Sequence, residues 1–364
     1  MPNLNADDRP TQRREKMNST KIKAGIIGAT GYAGAELVRL LLNHPFAEVT
    51  AAGSVSFQGK KISEVYPSLQ GACDLICCST EEVMAKSDVV FACVAHGMSQ
   101  DFAAECAEKN IAFIDLGADF RLEDEEDYKL WYGAGFTRKD LHARAVYALP
   151  ELFRDKIKTS RILANPGCYP TSIALALYPA LQAGLIEKNG IVIDSKSGVT
   201  GAGRSPSDTT HFPACNEAFT PYKVAAHRHT PEIEQTLSLA AGEKIKVVFV
   251  PHLLPVNRGI ISTVYAKLTP GTDLNTIRKT YEDFYKNERF VRLKNGGETA
   301  NLRDVKYSNY CDISLHTDTR TGTLIIVSAI DNMVKGAAGQ AVQNMNIIFD
   351  LPEDAGLCII PPAF

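Results

Sequence analysis

The sequence predicts an α/β protein: an N-terminal doubly wound Rossmann domain, then an α+β domain with a mixed sheet. Three observations carry this. From Lys21 to about Asn165, short apolar runs alternate with helical segments, as parallel strands joined by crossovers require. A glycine-rich turn, GIIGATGYAGAEL, lies between the first strand and the first helix. Beyond Cys168 the strands grow longer and alternate between apolar and polar residues. The expected limits are 21–167 with 333–364 for the first unit and 168–332 for the second.

The elements follow in order. KIKAGIIG is the first strand, and YAGAELVRLLLNH places Ala33, Leu37, Leu40 and Leu41 on one helical face. Strands are expected at 47–54, 73–79, 88–95 and 111–117, with a helix at SQDFAAECAEKN before the last of these. Their unbroken apolar character fits strands covered on both faces. The acidic run Glu123 to Asp127 reads as a solvated loop or helix start, and RILAN, about 161–165, closes the unit. The second unit offers strands in KIKVVFVPHLLPV, GIISTVYAKL and TLIIVSAI. Its helices are TSIALALYPALQAG, TPEIEQTLSLAA and DLNTIRKTYEDFYKN. A last helix, about 334–349, is rich in small residues suited to close packing and is expected to return to the first domain.

With 364 residues the chain can bury full cores without staples. Its 45% hydrophobic and 22% charged residues exclude a disordered or coiled-coil class. A net charge of -3 argues against a nucleic-acid partner. No apolar run approaches the roughly 18 residues of a membrane span. Nine scattered cysteines without a CxxC pair suggest a reducing, cytoplasmic setting and no zinc ribbon. Residues 1–20 mix acids with arginines and are read as a disordered extension rather than a targeting segment.

Three constellations carry chemistry. In the turn, Gly28 permits the tight bend, Gly31 lets backbone approach a pyrophosphate, and Gly34 lets helix and strand pack closely. The second strand ends in AAGSVSFQGKK with no acid, so Ser54 and Ser56, near Lys60 and Lys61, suit the 2′-phosphate of NADP. In NPGCYPT, Cys168 opens an apolar helix, whose dipole is expected to lower the thiol pKa and make it a nucleophile. His227 and His229, in HRHTPEI, are acid/base candidates that an extended segment would point the same way. A metal site completed by His252 or His211 is the weaker reading, and none is expected. Arg121 after a strand end, Ser197, Thr200 and Arg204 in SKSGVTGAGR, and Arg258 are candidates for binding the substrate's anions.

Together GATGYAGAELVRLL, DLGADFRL, NPGCYPT, SGVTGAGR, HRHTPEI and IDNMVKGAAGQAVQNMN resemble the N-acetyl-gamma-glutamyl-phosphate reductases of arginine biosynthesis, over nearly all of Lys21 to Phe364. The wider fold group includes aspartate-semialdehyde dehydrogenase. The resemblance implies an NADP-dependent homotetramer that reduces N-acetylglutamyl phosphate to its semialdehyde through a cysteine thioester. It implies that Cys168 is the nucleophile and His227 the acid/base, titrating near neutrality, with His229 on the substrate. It places Thr30, Gly31 and Tyr32 along the cofactor phosphates and Asn332 at the nicotinamide end. Glu232 would orient the histidines or the substrate. The tyrosine that the family often carries six residues before the first histidine is Pro221 here, and Tyr222 follows. Rival readings are a related acyl-phosphate reductase, acting on aspartyl or carrier-linked aminoadipyl phosphate, and a non-catalytic NADP-sensing module.

Overall fold

A computed structural model describes residues 21–364. The expectation for residues 1–20 lies outside the described residues. The first sheet holds β1 (Ile22–Ile27), β2 (Ala47–Gly53), β3 (Cys77–Cys78), β4 (Val89–Ala92), β5 (Ala112–Asp115), β6 (Val146–Tyr147) and β7 (Ile162–Ala164). All its pairings are parallel, in the order β3-β2-β1-β4-β5-β7-β6. Alternate side chains feed two separate cores. Ala24, Ile26, Val89 and Phe91 face one, and Ile27, Val90 and Ala92 the other. That explains the unbroken apolar runs, because each strand is covered on both faces.

The helices of this unit include α1 (Tyr32–Leu41), α2 (Ser99–Glu108), α3 (Glu125–Tyr132) and α4 (Pro150–Thr159). The acidic run is a helix start: Asp124 caps α3 by accepting the Glu126 and Asp127 N–H groups at 2.8 and 3.2 Å. The strand expected over 73–79 shrinks to Cys77–Cys78. It is an edge strand whose strand partners are Ala52 and Gly53, with Gly59 and Lys60 bonding Cys77 on the other side, and Gly71 turns the preceding chain at φ +77°.

The second sheet has the order β12-β13-β14-β11-β8-β10-β9 and is mixed. Its strands are β8 (Ile191–Gly198), β9 (Thr220–Pro221), β10 (Val247–Leu254), β11 (Ile260–Lys267), β12 (Val291–Leu293), β13 (Cys311–Asp318) and β14 (Thr323–Ile330). Helices α5 (Cys168–Gln182), α6 (Thr230–Ala241) and α7 (Leu274–Tyr285) contribute to one core with one face of this sheet. Pro179 within α5 lacks the N–H that would bond the Leu175 carbonyl, and Tyr285 of α7 donates its hydroxyl there at 2.6 Å.

The inner strand β8, between β11 and β10, is absent from the expected elements. Its inward residues run Ile191, Ile193, Ser195 and Ser197, so its buried half reads as polar. Those serines are satisfied internally: Ser195 bonds Ser262 at 2.8 Å, and Ser172 of α5 bonds Ser262 at 2.9 Å. The expected last helix is a π turn, Val334–Ala338, followed by α8 (Gly339–Ile348). Val334, Ala338, Ala341, Val342 and Met345 join the core of the first sheet, so the chain end does return there. A fully buried ion pair, Lys335 to Glu151 at 2.6 Å, ties the π turn to α4.

Candidate active site

In the glycine turn the structure shows the tight bend expected at Gly28 and the close packing expected at Gly34. Gly28 sits at φ +82°, and a Cβ there would lie 2.3 Å from the Cys93 carbonyl. A Cβ at Gly34 would lie 2.3 Å from the Gly28 carbonyl, so α1 packs directly on the strand end. At Gly31 an added Cβ would meet only the Gly28 carbonyl, at 3.4 Å, which leaves an open cradle at the start of α1. No side chain caps this helix, so its N-terminus is suited to an anionic pyrophosphate. Thr30 bonds Ser54 at 2.7 Å between hydroxyls, joining the turn to the end of β2. Tyr32 lines a cavity of about 310 Å³ with Tyr66, Thr200, Arg258 and Met333. Ser56 is exposed in the turn beyond β2.

Arg204 is not at the cysteine. Its Nη1 donates to the Thr30 carbonyl at 2.9 Å, and its guanidinium lies over the rings of Phe57 and Tyr66. The expected substrate arginine therefore belongs to the dinucleotide side. Arg258 is also elsewhere, paired with Glu36 at 2.7 Å and Asp331 at 3.2 Å. Asn332 accepts the Gly259 N–H at 2.7 Å and donates to Thr200 at 3.1 Å, so it braces the SGVTGAGR loop. Ser197, next to the last residue of β8, is buried, with its hydroxyl on the Gly198 carbonyl.

Cys168 is the first residue of α5 and keeps part of its surface open. Glu232, fully buried at the start of α6, organises the approach to it. Its Oε1 accepts the Gly167 N–H at 2.8 Å and the Tyr147 hydroxyl at 2.9 Å, and its Oε2 lies 3.5 Å from Arg121. Arg121 is clamped further by the carbonyls of Asn165 and Leu116, each at 2.9 Å. Glu232 thus acts on the cysteine turn and on Arg121. Gly167 is required for a different reason: a Cβ there would stand 2.6 Å from Nε2 of His229.

The histidines do share one cleft, but not through an extended segment. Residues 223–229 form a turn, and His229 has αR backbone as the cap of α6. The rings lie 4.9 Å apart, both beside Tyr169, and the His229 N–H donates to Nδ1 of His227 at 3.1 Å. Tyr222 also reaches this cluster, 5.5 Å from the His227 ring, with its hydroxyl 3.1 Å from that of Tyr169. His252 is apart from the pair, 3.1 Å from Asp194. Among the described residues no group of three His, Cys, Asp or Glu side chains could hold a metal ion.

Two electrostatic expectations are corrected. Burial pushes the Cys168 thiol up to about 11, against the lowering by the Tyr169 N–H and the Arg121 charge. The helix dipole does not win here, because the thiol is packed among protein atoms. Burial, then the charges of Lys223 and Arg228, take His227 down to about 4, so it does not titrate near neutrality. His229 is held well below its usual value by burial and by His227. Both rings are neutral at pH 7 in the free protein.

Sequence reasoning missed Tyr147, Tyr169 and Arg228. Arg228 lies between the two histidines in the chain, contacts His96 at 2.9 Å and stacks over Tyr132. Tyr147 meets Glu232 across 85 residues, a pairing that no local pattern announces.

The two units match a single class of protein. Residues 23–160 match the NAD binding domain of the semialdehyde dehydrogenases and residues 168–332 their dimerisation domain. The protein is therefore an NAD(P)-binding oxidoreductase of the semialdehyde dehydrogenase class. The N-acetyl-gamma-glutamyl-phosphate reductase of Brachyspira hyodysenteriae is 60% identical, over 94% of this chain and all of the relative. That of Clostridium botulinum (strain Eklund 17B / Type B) is 56% identical over the same shares. The chain belongs to the N-acetyl-gamma-glutamyl-phosphate reductase family. Among solved structures, aspartate semialdehyde dehydrogenase II of Vibrio cholerae, complexed with ASA, shares the fold. Its TM-score is 0.70 at 18% identity, covering 91% of this chain and 99% of that one. The Candida albicans aspartate semialdehyde dehydrogenase with NADP gives 0.69 at 16% identity, over the same shares.

Proposed function

We propose that the protein reduces N-acetylglutamyl 5-phosphate to N-acetylglutamate 5-semialdehyde with NADPH, releasing phosphate. The observation that carries this is the convergence of Cys168, Gly167, Glu232, Arg121 and the histidine pair at one helix start, in a family whose named members are such reductases. The cofactor unit comprises residues 21–167 and 333–364, and the catalytic unit residues 168–332.

Gly28, Thr30, Gly31, Tyr32 and Gly34 would hold the cofactor, with Asn332 towards its nicotinamide end, and the cofactor would supply the hydride. Cys168 attacks the acyl carbon and the phosphoryl oxygen leaves, the thiol proton departing with phosphate. Reduction of the thioester puts negative charge on the former carbonyl oxygen. His227, its Nδ1 occupied by the His229 N–H, carries a proton on Nε2. From there it donates a hydrogen bond to the developing oxyanion, and the adduct collapses to aldehyde and thiolate, which regains its proton from solvent. Glu232 and Arg121 hold the Gly167 turn, and His229 and Ser197 contact the substrate.

NADP rather than NAD is supported by the missing acid after β2 and by Arg204, whose guanidinium lies over Phe57, three residues past Ser54. Ser54→Asp is expected to narrow or reverse the preference for NADPH over NADH, read as the ratio of the two kcat/KM values. Equal use of both cofactors by the unchanged protein would refute the NADP assignment.

A homotetramer built on dimers is supported by the second sheet. Val192, Val248 and Tyr265 are neighbours across β10, β8 and β11, and all three are exposed apolar residues. A cytoplasmic setting is supported by nine free cysteines. No helix among the described residues is long and apolar enough to cross a membrane.

The deciding assay runs backwards, with N-acetylglutamate semialdehyde, NADP and phosphate, following the appearance of reduced nicotinamide. Aspartate semialdehyde is run in parallel. Turnover of the acetylated substrate alone is the expected result, and turnover of aspartate semialdehyde alone would assign the related activity.

A further inference from the structure

Gly167 is kept bare by His229, and Gly336 is kept bare by Cys168 itself. Gly336 lies in the π turn Val334–Ala338, where the chain returns to the first domain. A Cβ there would stand 2.7 Å from Cβ of Cys168, 3.2 Å from its Cα and 3.3 Å from Cδ1 of Ile330. Backbone conformation does not call for glycine at this position. Gly336 is outside the left-handed region, so alanine would suit its φ and favour the helical turn. The close approach to Cys168 is what excludes a side chain.

The π turn is tied down along its length. The Gly336 N–H bonds the Asp331 carbonyl at 3.0 Å and the Ala338 N–H the Met333 carbonyl at 2.9 Å, each five residues back. The buried Asp331 carboxylate accepts the Met333 and Val334 N–H groups at 2.8 and 3.2 Å. Lys335, fully buried, is fixed by Glu151 at 2.6 Å and Gln343 at 2.9 Å. Two bonds join this segment to the chain around the cysteine. Asn165 donates to the Ala337 carbonyl at 3.2 Å, and Gln340 donates to the Thr171 hydroxyl at 3.0 Å. Asn165 stands three residues before Cys168 and Thr171 three residues after it.

We infer that Gly336 is a positioning residue for the nucleophile: the bare backbone of the tied π turn is the wall against which Cys168 is set. The inference rests on the covalent route proposed above. A methyl group at Gly336 must move about 1 Å from Cβ of Cys168 to reach an ordinary carbon–carbon contact. The turn is bonded on both flanks, whereas Cys168 is the first residue of its helix and keeps part of its surface open, so the cysteine is the part that gives. Attack on an acyl carbon needs the sulfur within a few tenths of an ångström of its place, and a displacement of about 1 Å costs about 10²-fold in rate.

The test is Gly336→Ala, assayed with whichever semialdehyde the unchanged protein turns over, so that a wrong acyl substrate leaves this inference standing. The expected result is a kcat lowered about 10²-fold, with the KM for semialdehyde and the affinity for NADP within about twofold of the original. A role in packing alone would lower stability and leave kcat in place. A folded Gly336→Ala variant with the original kcat, or with only a raised KM, overturns the inference. Thermal unfolding reads the contact without turnover. Gly336→Ala is expected to lower the midpoint by about 2–4 °C or more on the original background, and by much less on Cys168→Gly, which has no Cβ to oppose the methyl. Equal lowering on both backgrounds also overturns it. If Gly336→Ala does not fold, Gln340→Ala carries the test, since it unties the turn from Thr171 without adding an atom. Its kcat is expected to fall about tenfold, and an unchanged kcat rejects the inference.

Discussion

Cys168→Ser is expected to lower turnover by more than about a thousandfold while NADPH still binds with its original affinity. The hydroxyl is a far weaker nucleophile than a thiolate and a poorer leaving group when the tetrahedral adduct collapses. Cofactor affinity should hold because the dinucleotide turn is built by Gly28, Thr30 and Ser54, away from α5. Steady-state rates and cofactor titration by nicotinamide fluorescence check the two halves. A serine variant keeping more than a small fraction of activity would refute the covalent route. Since burial holds the Cys168 thiol at about 11, the free protein presents a thiol. Exposed Cys358, rather than Cys168, is then the first site for iodoacetamide at neutral pH.

The second large effect separates the histidines. His227→Asn is expected to reduce kcat by about 10²–10⁴-fold, because the hydrogen bond to the developing oxyanion is lost. His229→Asn should mainly raise the KM for the acyl substrate. The opposite result would exchange the roles and leave the rest of the mechanism standing; near-normal kinetics in both would pass the proton to another group or to water. The pH profile carries a sign. A group lowered to about 4 is neutral throughout the neutral range, so kcat/KM should stay flat there and fall only as the medium becomes acid enough to charge His227. An inflection near pH 6.5 that disappears in His227→Asn would mean that its environment differs from the buried one described.

How much of this was legible depends on how local each signal is. The glycine turn was readable because backbone conformation and helix packing act within a few residues: Gly28 makes the bend and Gly34 the close packing that their spacing implies. The parallel sheet was readable because strands covered on both faces cannot hide their apolar runs. Strand β8 was not, since Ser195 and Ser197 point inward and are satisfied by hydrogen bonds that include serines of β11 and α5. The three arginines looked alike in glycine-punctuated loops. Only their partners, Glu232, Thr30 and Glu36, distinguish them, and those lie 111, 174 and 222 residues away by difference of residue numbers.

The sequence by itself determined the class of sheet, the dinucleotide turn, the cysteine at a helix start and the histidine pair, because each is written in residues close together along the chain. The tertiary structure alone decided the protonation of that cysteine and those histidines, since burial depends on every element packed around them. It alone decided which cations are spent in ion pairs and which remain beside the histidines. It also placed Gly336, in the π turn, so close to Cys168 that a Cβ would lie 2.7 Å from the cysteine Cβ. Local pattern records conformational preference and amphipathic period; charge state and proximity are properties of the packed whole.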